Sequence, residues 1–145
     1  MIATGVGSGY APFAPGTAGT IAGIPVYLLL SRLPWTFYLI SALILTLLSF
    51  YISREGEKIF NEKDSPRIVI DEIVGFQWTM FLVLPTVLHI LLGFFLFRLF
   101  DIVKLFPAGY LQNRLPGGYG IVIDDVVAGM YSNIILLIAI KFWGI

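Results

Sequence analysis

"IVGFQWTMFLVLPTVLHILLGFFLF" (residues 73–97) runs for 25 residues without a formal charge, between Glu72 and Arg98, with Leu84-Pro85-Thr86 at its middle. Two readings compete. As one helix kinked at Pro85, it would be about 37 Å long at ~1.5 Å per residue. Asp71 and Glu72 would then face one side of a membrane, and Arg98 and Asp101 the other. As a hairpin turning at Pro85, it gives helices near 68–84 and 86–105 and returns both polar ends to one side. Each limb is then short for a full span unless its polar end sinks into the bundle. Basic residues favour the hairpin, because cytoplasmic loops collect lysine and arginine. Five spans with a cytoplasmic N-terminus put Arg54, Lys58, Lys63, Arg67, Arg98, Lys104 and Arg114 inside and leave only Arg32 and Lys141 outside. A four-span chain would move residues 98–120 and three of these charges across the membrane.

Outward from this stretch, composition sets the class. The chain has 145 residues, enough for one domain over 1–145. It is 58% hydrophobic and 12% charged, against a usual charged share of about 25%. Mean hydropathy is +0.91. A soluble domain of this size could not hide that much apolar surface, so a membrane protein is expected. Net charge is zero, which gives no reason to expect a nucleic-acid partner. Without cysteine, disulfides, thiolate metal sites and cysteine nucleophiles are excluded. No basic region precedes the first apolar run, so no cleavable leader is expected. The clearest span is 35–52, with Trp35 and Tyr51 as interfacial anchors. A second, 19–35, is expected to kink at Pro25. The last is 121–141, and "SREGEKIFNEKDSPR" (53–67) reads as a polar loop, partly helical. The expected fold is all-α: a polytopic helical membrane protein with about five membrane-embedded helices, including a short hairpin near Pro85. Its oligomeric state is left open.

The chemistry lies in a repeated phrase. "IVIDEIVG" (68–75) and "GIVIDDVVAGM" (120–130) each set two adjacent acids inside an apolar run. Asp71, Glu72, Asp124 and Asp125, with Asp101, lie within or beside apolar segments, where ionised groups cost several kcal/mol unless paired or bound to a cation. Structural ion pairs or helix-dipole effects could explain one pair. Arg98, Lys104 and Arg114 are too few to neutralise five acids and still serve a substrate. A divalent ion would close the gap, and oxygen-only ligands suit Mg²⁺ or Mn²⁺ better than Zn²⁺. In "FRLFDIVKLFP" (97–107), Arg98, Asp101 and Lys104 fall three apart, near one helix face. Alone that is a salt-bridge stripe. Beside two acidic pairs it reads as a metal ligand between phosphate holders, Arg98 by a fork of donors and Lys104 as a point charge.

Other segments are weaker. "APFAPGTAGT" (11–20) reads as a loop ahead of a helix, able to offer backbone N–H groups and the Thr17 hydroxyl to a phosphate, or only to cap. "LPGGYG" (115–120) reads as a flexible lead into the last helix. His89, the one histidine, lies mid-hairpin and reads as a packing or interfacial residue rather than a base. A histidine phosphoenzyme is thereby excluded. So is an aspartyl-phosphate enzyme, since its DxDx[TV] motif is missing. Hydrolysis by metal-activated water remains.

Taken together, "GVGSGYAPFAPGTAGT", "IVIDEIVGFQWTM" and "FRLFDIVKLFPAGYLQNRLPGGYGIVIDDVVAGM" resemble the phosphatidylglycerophosphatase A family over most of the chain. The ordered combination of Pro-Gly-Thr, Asp-Glu-x-x-Gly, Arg-x-x-Asp-x-x-Lys-x-x-Pro and Gly-Gly-x-Gly-x-x-x-Asp-Asp carries the likeness. The resemblance implies an all-helical Mg²⁺-dependent phosphatase of the bacterial inner membrane. It would convert the lipid phosphatidylglycerophosphate to phosphatidylglycerol and orthophosphate, with its active site facing the cytoplasm. Asp71, Glu72, Asp101, Asp124 and Asp125 are then expected to bind metal, with one of them a candidate general base. Arg98, Lys104 and Thr17 are expected to hold phosphate. Two rivals are a CDP-alcohol phosphotransferase, whose D-x-x-D-G-x-x-A-R pattern is missing here, and a cation transporter, which would not place Arg98 and Lys104 beside its ion. If the acidic phrases form one site, their carboxylates must converge, with Gly75, Ala128 and Gly129 letting the helices approach closely.

Overall fold

The computed structural model describes residues 15–61, 68–104 and 119–145, together with 106, 110 and 114. Residues 11–14 of the Pro-Gly-Thr segment and 115–118 of "LPGGYG" lie outside the described residues. The described residues form five helices and contain no strand: α1 Pro15–Leu30, α2 Trp35–Phe60, α3 Ile70–Thr79, α4 Val87–Val103 and α5 Tyr119–Trp143.

The charge-free stretch is a hairpin. Helix α3 stops at Thr79, and α4 restarts at Val87 after Thr86, whose hydroxyl accepts from His89 N at 3.2 Å. A Cβ added to Gly75 would meet Phe97, and one added to Gly93 would meet Met80 and Thr79. Residues advancing on one helix therefore face residues retreating on the other, which makes the limbs antiparallel. The first limb ends five residues earlier than 84, the end read from the sequence. Its freed carbonyls find side-chain donors on three other helices. Asn133 Nδ2 donates to Thr79 O and Phe81 O at 2.9 and 2.7 Å. Tyr38 OH donates to Gln77 O at 2.7 Å, and Tyr27 OH to Val83 O at 2.8 Å. A broken helix in an apolar setting persists only where such partners exist. Leu82 sits here in the left-handed region, with φ 62°.

Other boundaries also differ from the sequence reading. Helix α2 continues to Phe60, so the helical part of the segment read as a partly helical polar loop covers 53–60 and prolongs α2. Its buried stripe of Tyr38, Ala42, Thr46, Ser49, Ser53 and Gly56 keeps helical spacing through the polar segment. Glu55 and Lys58 pair across one turn on the outside. Helix α1 begins at Pro15, a favoured first helical position, so Gly16, Thr17, Gly19 and Thr20 lie in its opening turns and not in a preceding loop. Pro25 stays within one helical segment. Helix α5 begins at Tyr119, two residues before the expected start.

Helix α3 is the centre. Eight of its ten residues are buried, and it touches all four other helices. Trp78 ties it to α2 through a 2.9 Å hydrogen bond to Thr46 Oγ1. Outward, the bundle shows Phe37, Leu47, Leu91, Phe95, Ile134 and Phe142, an apolar exterior suited to lipid. Helices α2 and α5 are long and apolar enough to cross a membrane. At 16, 10 and 17 residues, α1, α3 and α4 reach only about 24, 15 and 25 Å, below the ~30 Å of a bilayer core. Among the described residues five helices are present, and two of them are long and apolar enough to span.

Candidate active site

Asp71 and Glu72 lie in the first turn of α3. Asp124 and Asp125 lie about one and a half turns into α5, too far inside for the helix dipole to explain that pair. What joins them is a glycine crossing. A Cβ on Gly129 would collide with Gly75 O, and one on Gly75 would lie 2.8 Å from Asp125 O. Ala128 is buried beside them. The two backbones touch, and the carboxylates one turn away are carried together.

All five acids converge. Carboxylate oxygens of Asp71, Glu72 and Asp125 lie within 4.8 Å of one another, and so do those of Asp101, Asp124 and Asp125. Asp125 belongs to both groups. Asp71, Asp124 and Asp125 are 4%, 1% and 2% exposed, so water screens them little. At ~5 Å and an effective dielectric of ~20, each pair of ionised carboxylates repels by roughly 3 kcal/mol.

Two cations answer part of this charge. Arg98 pairs with Asp101 one turn along α4, and Lys104 at the α4 C-cap pairs with Asp124. Burial alone would push the Lys104 ammonium down. The carboxylates of Asp124, Asp101 and Asp125 outweigh it and hold that pKa above the usual lysine range. Asp71 Oδ1, Glu72 Oε2, Asp125 Oδ2 and Arg98 Nε are buried without a hydrogen-bond partner. Buried orphan oxygens on converging carboxylates fit a hard divalent cation, which would satisfy them together.

The start of α1 closes one side. A Cβ on Gly16 would stand 2.8 Å from Glu72 Oε1 and 3.1 Å from Arg98 Nη1. No larger residue fits without displacing them. Thr17 is the next residue of that turn and half-buried. Thr20 spends its hydroxyl on Gly16 O at 2.9 Å. Sequence reasoning took Gly16 as a loop residue and missed its contact with the acids; no local signal reveals it. His89 has its ring nitrogens 3.1 Å from Leu84 O and 3.0 Å from Ile145 O. It lies about 18 Å along α4 from Asp101, which agrees with a packing role.

Comparison with known proteins follows the same lines. The family model described as Phosphatidylglycerophosphatase A matches residues 1–140. A phosphatidylglycerophosphatase A of Escherichia coli is 35% identical over 99% of this chain and 84% of its own length. One of Haemophilus influenzae is 40% identical over 99% of this chain and 88% of its own. A Bacteroides thetaiotaomicron protein, provisionally named a phosphatidylinositol-3-phosphatase, is 40% identical over all of this chain and 94% of its own. No solved structure matches the chain.

Proposed function

Since this chain belongs to the phosphatidylglycerophosphatase A family, we propose that its carboxylate centre hydrolyses phosphatidylglycerophosphate to phosphatidylglycerol and orthophosphate. The observation that carries this reading is the convergence of five acids with Arg98 and Lys104 at one end of an apolar bundle. The chain acts as one unit over 1–145. It is embedded in the membrane of a bacterial cell as a multi-pass protein, α2 and α5 spanning while α1, α3 and α4 are sunk beside them. The acids face the cytoplasm at headgroup depth, where a lipid phosphate can reach them without leaving the bilayer.

Within the centre, Asp71, Glu72, Asp101, Asp124 and Asp125 are the candidate ligands for Mg²⁺. When bound, Mg²⁺ would supply Lewis acidity at the phosphoryl group and a lowered pKa for water. Arg98 offers its free donors to two phosphate oxygens, and Lys104 adds a point charge. The first turn of α1, with Thr17, approaches from the Gly16 side, where helix N–H groups favour an anion. Water attacks phosphorus, the bond to the glycerol oxygen breaks, and the departing oxygen receives the proton that a carboxylate has drawn from the water. One carboxylate of the five takes the proton from the attacking water.

Membership in this family sets aside a CDP-alcohol phosphotransferase. A cation path would not hold Arg98 and Lys104 paired inside it. The test is phosphate release by the purified protein in mixed micelles, on phosphatidylglycerophosphate, phosphatidic acid and phosphatidylinositol 3-phosphate. Preference for the first supports the reading. Preference for the inositol lipid would move this chain's substrate toward the one that the Bacteroides relative's name carries.

A further inference from the structure

Resting on that phosphatase reading, we propose that the five carboxylates divide their work: Asp71, Glu72 and Asp125 hold a single divalent cation, while Asp101 and Asp124 hold Arg98 and Lys104 in place as the anion cradle. All five are of the right type to be ligands, and sequence alone treats them alike. Their partners do not. Asp101 is paired with Arg98, and Asp124 with Lys104. Each pair is neutral by itself. No salt bridge reaches Asp71, Glu72 or Asp125 among the described residues. These three form one of the two converging groups, and each has a buried oxygen with no hydrogen-bond partner; what sets them apart from Asp101 and Asp124 is the salt-bridge pattern and not that oxygen.

Geometry separates the two sets in part, since Asp124 stands beside Asp125 on α5 but turns to Lys104. Asp71 and Glu72 come from α3 and Asp125 from α5, joined by the rigid glycine crossing. Asp101 and both cations come from α4 and its C-cap. Arg98 bonds Asp101 through Nη1 and keeps a buried Nε without a partner, so donors remain for an anion. Placing a second cation among Asp101, Asp124 and Asp125 would set it against Arg98 and Lys104. A two-metal centre is therefore disfavoured, although the second group has the spacing for one. Asp101 and Asp124 become positioning residues. They fix two long side chains that would otherwise lose phosphate geometry.

The test is binding of Mn²⁺ alone to the full chain in nanodiscs, read from the spin-resonance signal of free Mn²⁺. One tightly bound ion per chain is expected. Asp71→Asn, Glu72→Gln and Asp125→Asn should each weaken it by more than about 100-fold, beyond what loss of a supporting partner costs. Asp101→Asn and Asp124→Asn should stay within about tenfold of the parent. With Mn²⁺ bound, those two should instead lose calorimetric affinity for inorganic phosphate, and Asp101→Glu should regain part of it. Arg98→Gln and Lys104→Gln give an arm independent of the acids: phosphate affinity falls while Mn²⁺ affinity holds or rises. Two ions per chain would overturn the division, and so would no Mn²⁺ binding by the parent. Asp101→Asn or Asp124→Asn losing Mn²⁺ as severely as Asp71→Asn would do the same, as would a drop in Mn²⁺ affinity in the Arg98 or Lys104 variants. If one ion binds as described but no lipid phosphate is hydrolysed, the phosphatase reading fails and the division stands.

Discussion

At the scale of single residues, Gly75 and Gly129 decide whether there is a site at all. Each lies where a methyl group would strike something rigid: Gly75 O for Gly129, and the Phe97 ring and Asp125 O for Gly75. Overpacking of this kind costs about 1–3 kcal/mol. Here it would also push α3 from α5 and spread the carboxylates. Gly129→Ala is expected to lower the thermal midpoint in detergent and to cut activity more deeply than the stability loss explains. An active, fully stable variant would show that the crossing is not what gathers the acids. The acids themselves were legible because ionised groups in apolar runs are costly and the phrase occurs twice. Their glycines were legible as small residues one turn away. The Arg98–Asp101 pair was legible from its spacing of three, whereas the partner of Lys104 was not, since it lies 20 residues ahead in the chain.

At the scale of elements, the break after Thr79 is the feature most dependent on distant partners. Pro85 and the charges at both ends of 73–97 pointed to a hairpin, and the hairpin is there. The early end of α3 was hidden, because Asn133, Tyr38 and Tyr27 satisfy the freed carbonyls from elsewhere in the chain. The tail of α2 was legible only as a partly helical loop, for another reason. Its polar composition masks an inward stripe that Ser53 and Gly56 continue with small residues. Asn133→Ala removes two hydrogen bonds to buried carbonyls and should cost about 1–3 kcal/mol. Denaturant titration would read it, and a change near zero would mean that the break is held by other means. The direction of the hairpin is a separate matter. Thr86→Cys should label from outside the cell, while Asp64→Cys and Asn113→Cys should label only after permeabilisation. Labelling of Asn113→Cys from outside would put the two ends of the hairpin on opposite sides of the membrane and contradict the shared site.

At the scale of the whole molecule, composition alone disclosed the membrane class, and the apolar exterior agrees with it. The number of spans was not legible. Hydropathy registers burial in protein and burial in lipid alike, and α3 is apolar because four helices enclose it. The result is a bundle in which two long helices support three short ones and the acids gather at one end. The claim on which the rest depends is that this acidic end is a divalent-cation centre for phosphate-ester hydrolysis. It is tested most directly by phosphate release from phosphatidylglycerophosphate after exhaustive chelation with EDTA, with and without added Mg²⁺. No turnover in the chelated protein and recovery on adding Mg²⁺ are expected, since a metal-generated nucleophile and charge stabilisation would be lost and restored together. Full activity in the chelated protein would contradict the centre and the metal role of Asp71, Glu72 and Asp125.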